Sequence, residues 1–179
     1  MPSRLMHLVA LVALPMVLLV AAPAQAQAGL DGAAPTLRLS GERDTTLTLQ
    51  DFARLPQTRV PVAPHRHGND TAAARAALVY SGVAVVDLLA LVGGPREAQL
   101  RGRGVASYLL IEAADGYRVV FSLDELARED AQAPVILADR LNDAPLSPEE
   151  GPFRIVAPGV RHSRWIRQVV RLTIQTAAP

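Results

Sequence analysis

Cysteine is missing from all 179 residues of the chain, and so is lysine. Without a thiol there is no disulfide framework, no thiolate nucleophile and no sulfur ligand for a soft metal, so stability has to rest on packing. All 18 basic side chains are arginine. Alongside the many alanines, this reads as the coding bias of a GC-rich genome rather than as selection for guanidinium chemistry. An excess of one charge is also missing. The formal net charge of +1 leaves neither the basic footprint of a nucleic-acid binder nor a polybasic membrane patch. Phosphate loops are lacking too, since Gly102-Arg103-Gly104 has no helix to open. No G-x-S-x-G turn occurs, and Ser163 beside His162 is not a catalytic pair, because adjacency gives no base geometry. Internal repeats and heptads are likewise absent.

The longest apolar run, Leu8 to Ala22, is broken by Pro15 and falls short of the roughly 18–20 residues that span a bilayer. Arg4 precedes it, and the small residues of Ala22–Ala28 follow. That pattern predicts a secretory signal peptide over residues 1–28, cleaved after Ala26 or Ala28, with no stable membrane anchor afterwards. A lone arginine before the run predicts the Sec route, which carries unfolded chains, and therefore a periplasmic or secreted protein exported without cofactor. Residues 29–35 read as a linker and 36–176 as a single domain. With Arg4 removed, 17 arginines face 17 acidic residues, and the length suffices to bury a real core.

Alternating apolar residues predict strands at Leu37–Leu39 and Leu47–Leu49, joined by Gly41–Asp44. Asp51–Leu55 reads as one helical turn ended by Pro56. Strands follow at Thr58–Val62 and Leu78–Tyr80, then a short helix over Val85–Val92 with Gly93-Gly94-Pro95 as its stop. Val105–Glu112 and Tyr117–Phe121 flank an Asp115-Gly116 hairpin turn. Ser122 and Glu125 predict a capping box on another short helix. Val135–Ala138, Phe153–Val156 and Arg167–Ile174 complete the strands. The fold class is α+β, mostly β, with mixed or antiparallel sheets and a few short helices.

Chemistry concentrates near the C-terminal end. After Phe153–Val156, Pro158-Gly159 makes a turn, because proline presets φ and glycine permits φ > 0. The turn presents Arg161, His162, Ser163 and Arg164 ahead of the single Trp165, and two guanidinium forks suit an oxyanion or a phosphate. The competing reading is a solvated basic turn packed by Trp165. His65 and His67 form an H-x-H pair that could bind a late first-row metal, with His162 as a third imidazole; two exposed histidines are the plainer reading.

Four elements in order resemble the sulfite oxidase-type molybdopterin-binding domain family. Tyr80-Ser81-Gly82-Val83 with Asp87-Leu88-Leu89 is similar to its W/YxGVxLxDLL element, and Asp115-Gly116-Tyr117 with Ser122-Leu123 to its DGY…SL element. Leu137-Ala138 through Leu146 resembles LAxxLNGxPL. Gly151-Pro152 through Val156, Pro158-Gly159, Arg161, Arg164 and Trp165 resemble GxPLRLVVPGxxGxKxxKW. The resemblance covers about Thr36 to Gln175 and implies that family's fold. It also implies a pterin-phosphate contact through Arg161, His162, Ser163 and Arg164, and places Tyr117 toward the metal pocket as a candidate catalytic group. Catalytic members of the family hold molybdenum through a cysteine thiolate, which this chain does not have.

Two functions stand side by side on these residues. One is an exported molybdopterin-binding oxidoreductase that is not a sulfite oxidase, carrying molybdenum cofactor in a shell without thiolate. The other is a non-catalytic relative that keeps the fold and the Arg161/Arg164 pocket for a small anion, a pterin-like ligand or a periplasmic protein partner. A metal-binding module built on His65 and His67 ranks behind both.

Overall fold

The computed structural model describes residues 35–63, 77–95, 100–127 and 133–177. The residues predicted as signal peptide, nearly all of those predicted as linker, and the His65/His67 pair lie outside them.

Among the described residues, ten strands form two sheets. β1 (Thr36–Ser40) and β2 (Asp44–Thr48) are the predicted N-terminal pair, and the chain turns into α1 (Leu49–Ala53). β2 stops earlier than the apolar pattern suggests because Thr48 caps α1. Its hydroxyl accepts from the Asp51 N–H at 3.2 Å while the Asp51 carboxylate accepts from the Thr48 N–H and hydroxyl. This reciprocal box satisfies two groups that an uncapped helix leaves orphaned. The same hydrogen bonds from Thr48 hold the Asp51 carboxyl below its ordinary pKa.

β3 (Thr58–Val62) pairs antiparallel with β4 (Leu78–Ala84), which leads directly into α2 (Val85–Ala90). A one-turn 3-10 segment at Gly102–Ala106 precedes β5 (Ser107–Ala113), so the strand begins two residues later than predicted. β6 (Arg118–Ser122) returns through the Asp115-Gly116 turn. The Tyr117 N–H is turned onto the Asp115 carboxylate at 2.9 Å.

The helix α3 (Leu123–Leu126) forms where expected, but its capping box does not. Ser122 makes no side-chain cap bond, and the Glu125 carboxylate is engaged by Arg164 instead. β7 (Ile136–Leu141), the short β8 (Ala144–Pro145), β9 (Arg154–Val156) and β10 (Val169–Thr176) complete the chain. The β7–β8 hairpin turns on Asn142 and Asp143, both at positive φ (49° and 65°), the conformation of a tight I′ hairpin.

The first sheet has the order β2-β1-β10-β5-β6 and the second β3-β4-β7-β8, with β9 also paired to β7. Only β1 with β10 is parallel among the described pairs, so the sheets are mixed and antiparallel as predicted. Strand alternation accounts for the core. β5 buries Leu109 and Ile111, β1 buries Leu37 and Leu39, and β6 buries Val119 and Phe121. Leu137, Ile155 and Phe153 join the same cluster from the other sheet, and Phe153 packs on Phe52 at 4.7 Å between ring centroids. β4 and β7 meet at a bulge beside Gly82, where a Cβ would lie 2.0 Å from the Leu137 carbonyl oxygen. Only glycine permits that approach.

Candidate functional site

The loop between β9 and β10 is held at both ends by the backbone. The Ile155 N–H donates to the Ile166 carbonyl at 2.8 Å, and the Val169 N–H to the Phe153 carbonyl at 2.9 Å. Between these clamps, Ala157-Pro158-Gly159-Val160 closes a turn. The Val160 N–H reaches the Ala157 carbonyl at 3.1 Å, and Gly159 takes φ +79°. His162–Arg164 then form a single 3-10 turn. Trp165 folds back beneath it, donating its indole N–H to the Val160 carbonyl at 3.2 Å and stacking on the His162 ring at 4.3 Å.

This loop forms one wall of a cleft of about 430 Å³. Tyr117 faces it from the β5–β6 turn and donates its phenol to the Ser163 carbonyl at 2.9 Å. His162 and Ser163 line the same cleft, so three of the predicted site residues meet. Arg161 is exposed and outside the lining. Arg164 turns away altogether. Its two terminal nitrogens donate to the two Glu125 carboxylate oxygens at 2.9 and 3.0 Å, one of them also to the Val120 carbonyl at 2.7 Å, and the guanidinium lies 3.9 Å over the Phe121 ring. The two forks of Arg161 and Arg164 therefore do not face one another across a ligand. Of the predicted neighbouring loop, Ala63 borders the site, and the remainder lies outside the described residues.

The cations that line the cleft are Arg154 and Arg167, which the sequence reading did not single out. Arg154 has 11% of its side chain exposed. Its Nη1 donates to the Glu150 carboxylate and to the Tyr80 hydroxyl, the latter at 3.3 Å, while its Nε is buried with no hydrogen-bond partner among the described residues. Burial raises the Tyr80 phenol above its ordinary pKa, with Arg154 pulling the other way and Glu150 adding to the rise. A smaller cleft of about 220 Å³ lies against the same Glu150, Arg154, His162 and Trp165, with Tyr80 and Val62 on its far wall. A signal for Arg154 existed in the sequence. A charge within the apolar run Phe153–Val156 needs a buried partner, and Glu150 stands four residues earlier.

The residues present can grip the oxygens of an anion through guanidinium and imidazole, and can stack a flat ring on His162, which itself lies on Trp165. Among the described residues, no group of three or more His, Asp or Glu side chains is placed to hold a metal.

Comparison with known proteins accords with this architecture. A family model described as "Oxidoreductase molybdopterin binding domain" matches residues 27–179. Among solved structures, the sulfane dehydrogenase SoxCD from Paracoccus pantotrophus is similar, with a TM-score of 0.60 and 24% identity. That match covers 82% of this chain and 39% of the SoxCD chain, so this chain spans well under half the length of that protein. The likeness is one of fold. No curated protein sequence matches.

Proposed function

The chain belongs to the oxidoreductase molybdopterin-binding domain family, and from that premise we propose that it is an exported, non-catalytic member that binds a small anion or a pterin-like ligand in the Arg154–His162 cleft. The donor set decides how far the family's cofactor fits. Catalytic members of the resembling family hold molybdenum through a thiolate, and no cysteine occurs anywhere in this sequence. The cleft offers imidazole, phenol and carboxylate and no thiolate, the donor by which those members hold the metal. The residues therefore do not fit the metal as those members hold it. They do fit the anionic and planar parts of a pterin phosphate.

The observation that carries this reading is Arg154. Its guanidinium is nearly enclosed at the cleft wall, held by Glu150 and Tyr80, with Nε unsatisfied. An anion in the cleft would be drawn to that charge, where reduced water strengthens the attraction. Tyr117 positions the Ser163 backbone, and the Trp165 stack orients His162. Arg161, exposed beside the loop, would steer anions toward it.

Two measurements test the proposal. Protein purified from its native envelope should contain far less than one molybdenum per chain. One molybdenum per chain would overturn the non-catalytic reading. Calorimetry with sulfate, phosphate and a pterin phosphate should show binding that weakens with salt and drops about tenfold in Arg154→Lys, which keeps the charge and loses the fork. Equal affinity in wild type and variant would remove Arg154 from the site.

A further inference from the structure

A second cleft shares Ala113 with the first and has a different chemistry. Four residues form one row across the first sheet: Arg38 on β1 pairs with Arg171 on β10, Arg171 with Glu112 on β5, and Glu112 with Arg118 on β6. Only one of the four is acidic. Glu112 is committed mainly to Arg118 at 2.9 Å and lies 3.7 Å from Arg171. Arg38 makes no ion pair among the described residues. Like charges directly opposite on neighbouring strands repel, and nothing in the row compensates Arg38.

Arg38 and Arg171 stand at the wall of a cleft of about 480 Å³. Its other surfaces are largely apolar, from Pro152, Val169 and Val170, with Thr36 beside Arg38 and the Glu112 carboxylate, held mainly by Arg118, also in the wall. The size falls within the range of small-molecule sites. We propose that this cleft binds a small organic carboxylate with a compact apolar body. The carboxylate would bridge Arg38 and Arg171 while the body lies on Pro152, Val169 and Val170. An inorganic oxyanion would use the cationic end and leave the apolar wall wet. A neutral apolar molecule would leave the arginine pair uncompensated. A carboxylate satisfies both halves of the lining, since a guanidinium fork accommodates two oxygens.

Benzoate is the probe, titrated into the full chain and followed by backbone amide resonances and by thermal melting. It should bind at millimolar concentration, perturb the Thr36 and Val170 amides, and raise the melting temperature. Arg38→Gln should weaken binding at least tenfold, with Arg38→Lys in between. Without ligand, Arg38→Gln should melt no lower than wild type, because it removes a repulsion rather than a contact. Sulfate binding at the Arg154 cleft should be unchanged in Arg38→Gln, which separates this site from the first. The proposal is overturned if benzoate does not bind, if Arg38→Gln binds it as well as wild type, or if the perturbed amides are those of Tyr117 and His162. It also fails if inorganic phosphate displaces benzoate at equal concentration, or if ligand-free Arg38→Gln melts lower than wild type.

Discussion

Arg154 and Arg164 flank the same loop and are used in opposite ways. Both terminal nitrogens of Arg164 are engaged: a carboxylate takes both ends of its fork, a carbonyl takes a further bond, and an aromatic ring lies under its face. It pins the loop to α3 and β6. Arg154 is more enclosed yet less satisfied, with Glu150 and Tyr80 crowded onto one terminal nitrogen and Nε left orphaned. An unmade bond to a buried polar group costs about 1–3 kcal/mol. A guanidinium whose fork is taken up by a carboxylate holds structure in place, whereas one with a buried nitrogen left unpaired at a cleft wall is available to a ligand.

The strongest way to break this contrast acts on the seam beneath Arg154. Gly82→Ala drives a methyl against the Leu137 carbonyl and the Ala138 Cα, at 2.0 and 2.5 Å, and both belong to backbone that cannot swing aside. Denaturant unfolding should show a loss of about 3 kcal/mol, the upper part of the usual overpacking range. Tyr80, two residues away on β4, would move off Arg154, and anion affinity should fall with stability.

Arg164→Ala separates the two roles. It leaves Glu125 without its partner and frees the loop, so unfolding should show a loss of about 2 kcal/mol, within the range for charge-assisted bonds. The anion affinity of the Arg154 cleft should stay within about threefold of wild type, given that Arg164 is outside the lining. Arg154→Lys should show the reverse, a loss of affinity with a smaller loss of stability. If Arg164→Ala abolishes binding and leaves stability intact, the assignments are exchanged.

The smallest effect concerns another incomplete group, Asp139. Its Oδ1 is buried without a partner, beside Ser81, and burial raises its carboxyl above the ordinary pKa, with Arg140 opposing. A raised carboxyl favours the folded state while protonated. That contribution is complete below the unfolded pKa and is lost as pH rises through the folded one. Asp139→Asn should therefore raise the neutral-pH melting temperature by a few degrees, with the gain fading below the unfolded value. A variant that melts lower at pH 7 would mean that the ionised form is stabilised after all.

Most of the architecture was legible because burial and alternation coincide. Thr58–Val62 matches β3 residue for residue, and the Pro158-Gly159 turn closes as its residue types dictate. One failure comes from competition for a carboxylate. Ser122 and Glu125 carry the pattern of a capping box, yet a guanidinium 39 positions along the chain takes Glu125. The box that does form, Thr48 with Asp51, uses an aspartate where the usual pattern has glutamate or glutamine. At the site, the expected pair of forks rested on adjacency in sequence. A one-turn 3-10 segment points successive residues in different directions, so His162 faces the cleft while Arg164 reaches Glu125. Arg154 was hidden by its setting within an apolar strand.

The pairing of β1 with β10 has a consequence in time rather than in space. β10 occupies the centre of the first sheet, between β1 and β5, and Arg38 meets Arg171 across that junction. β10 leaves the ribosome after β1, β2, β5 and β6. Until then β1 and β2 can form only an isolated hairpin, and β5 and β6 another, each with its apolar face uncovered. Such hairpins are marginal in water, and contacts this distant along the chain form slowly. The nascent chain should therefore stay open until β10 has emerged, however early its other strands are made.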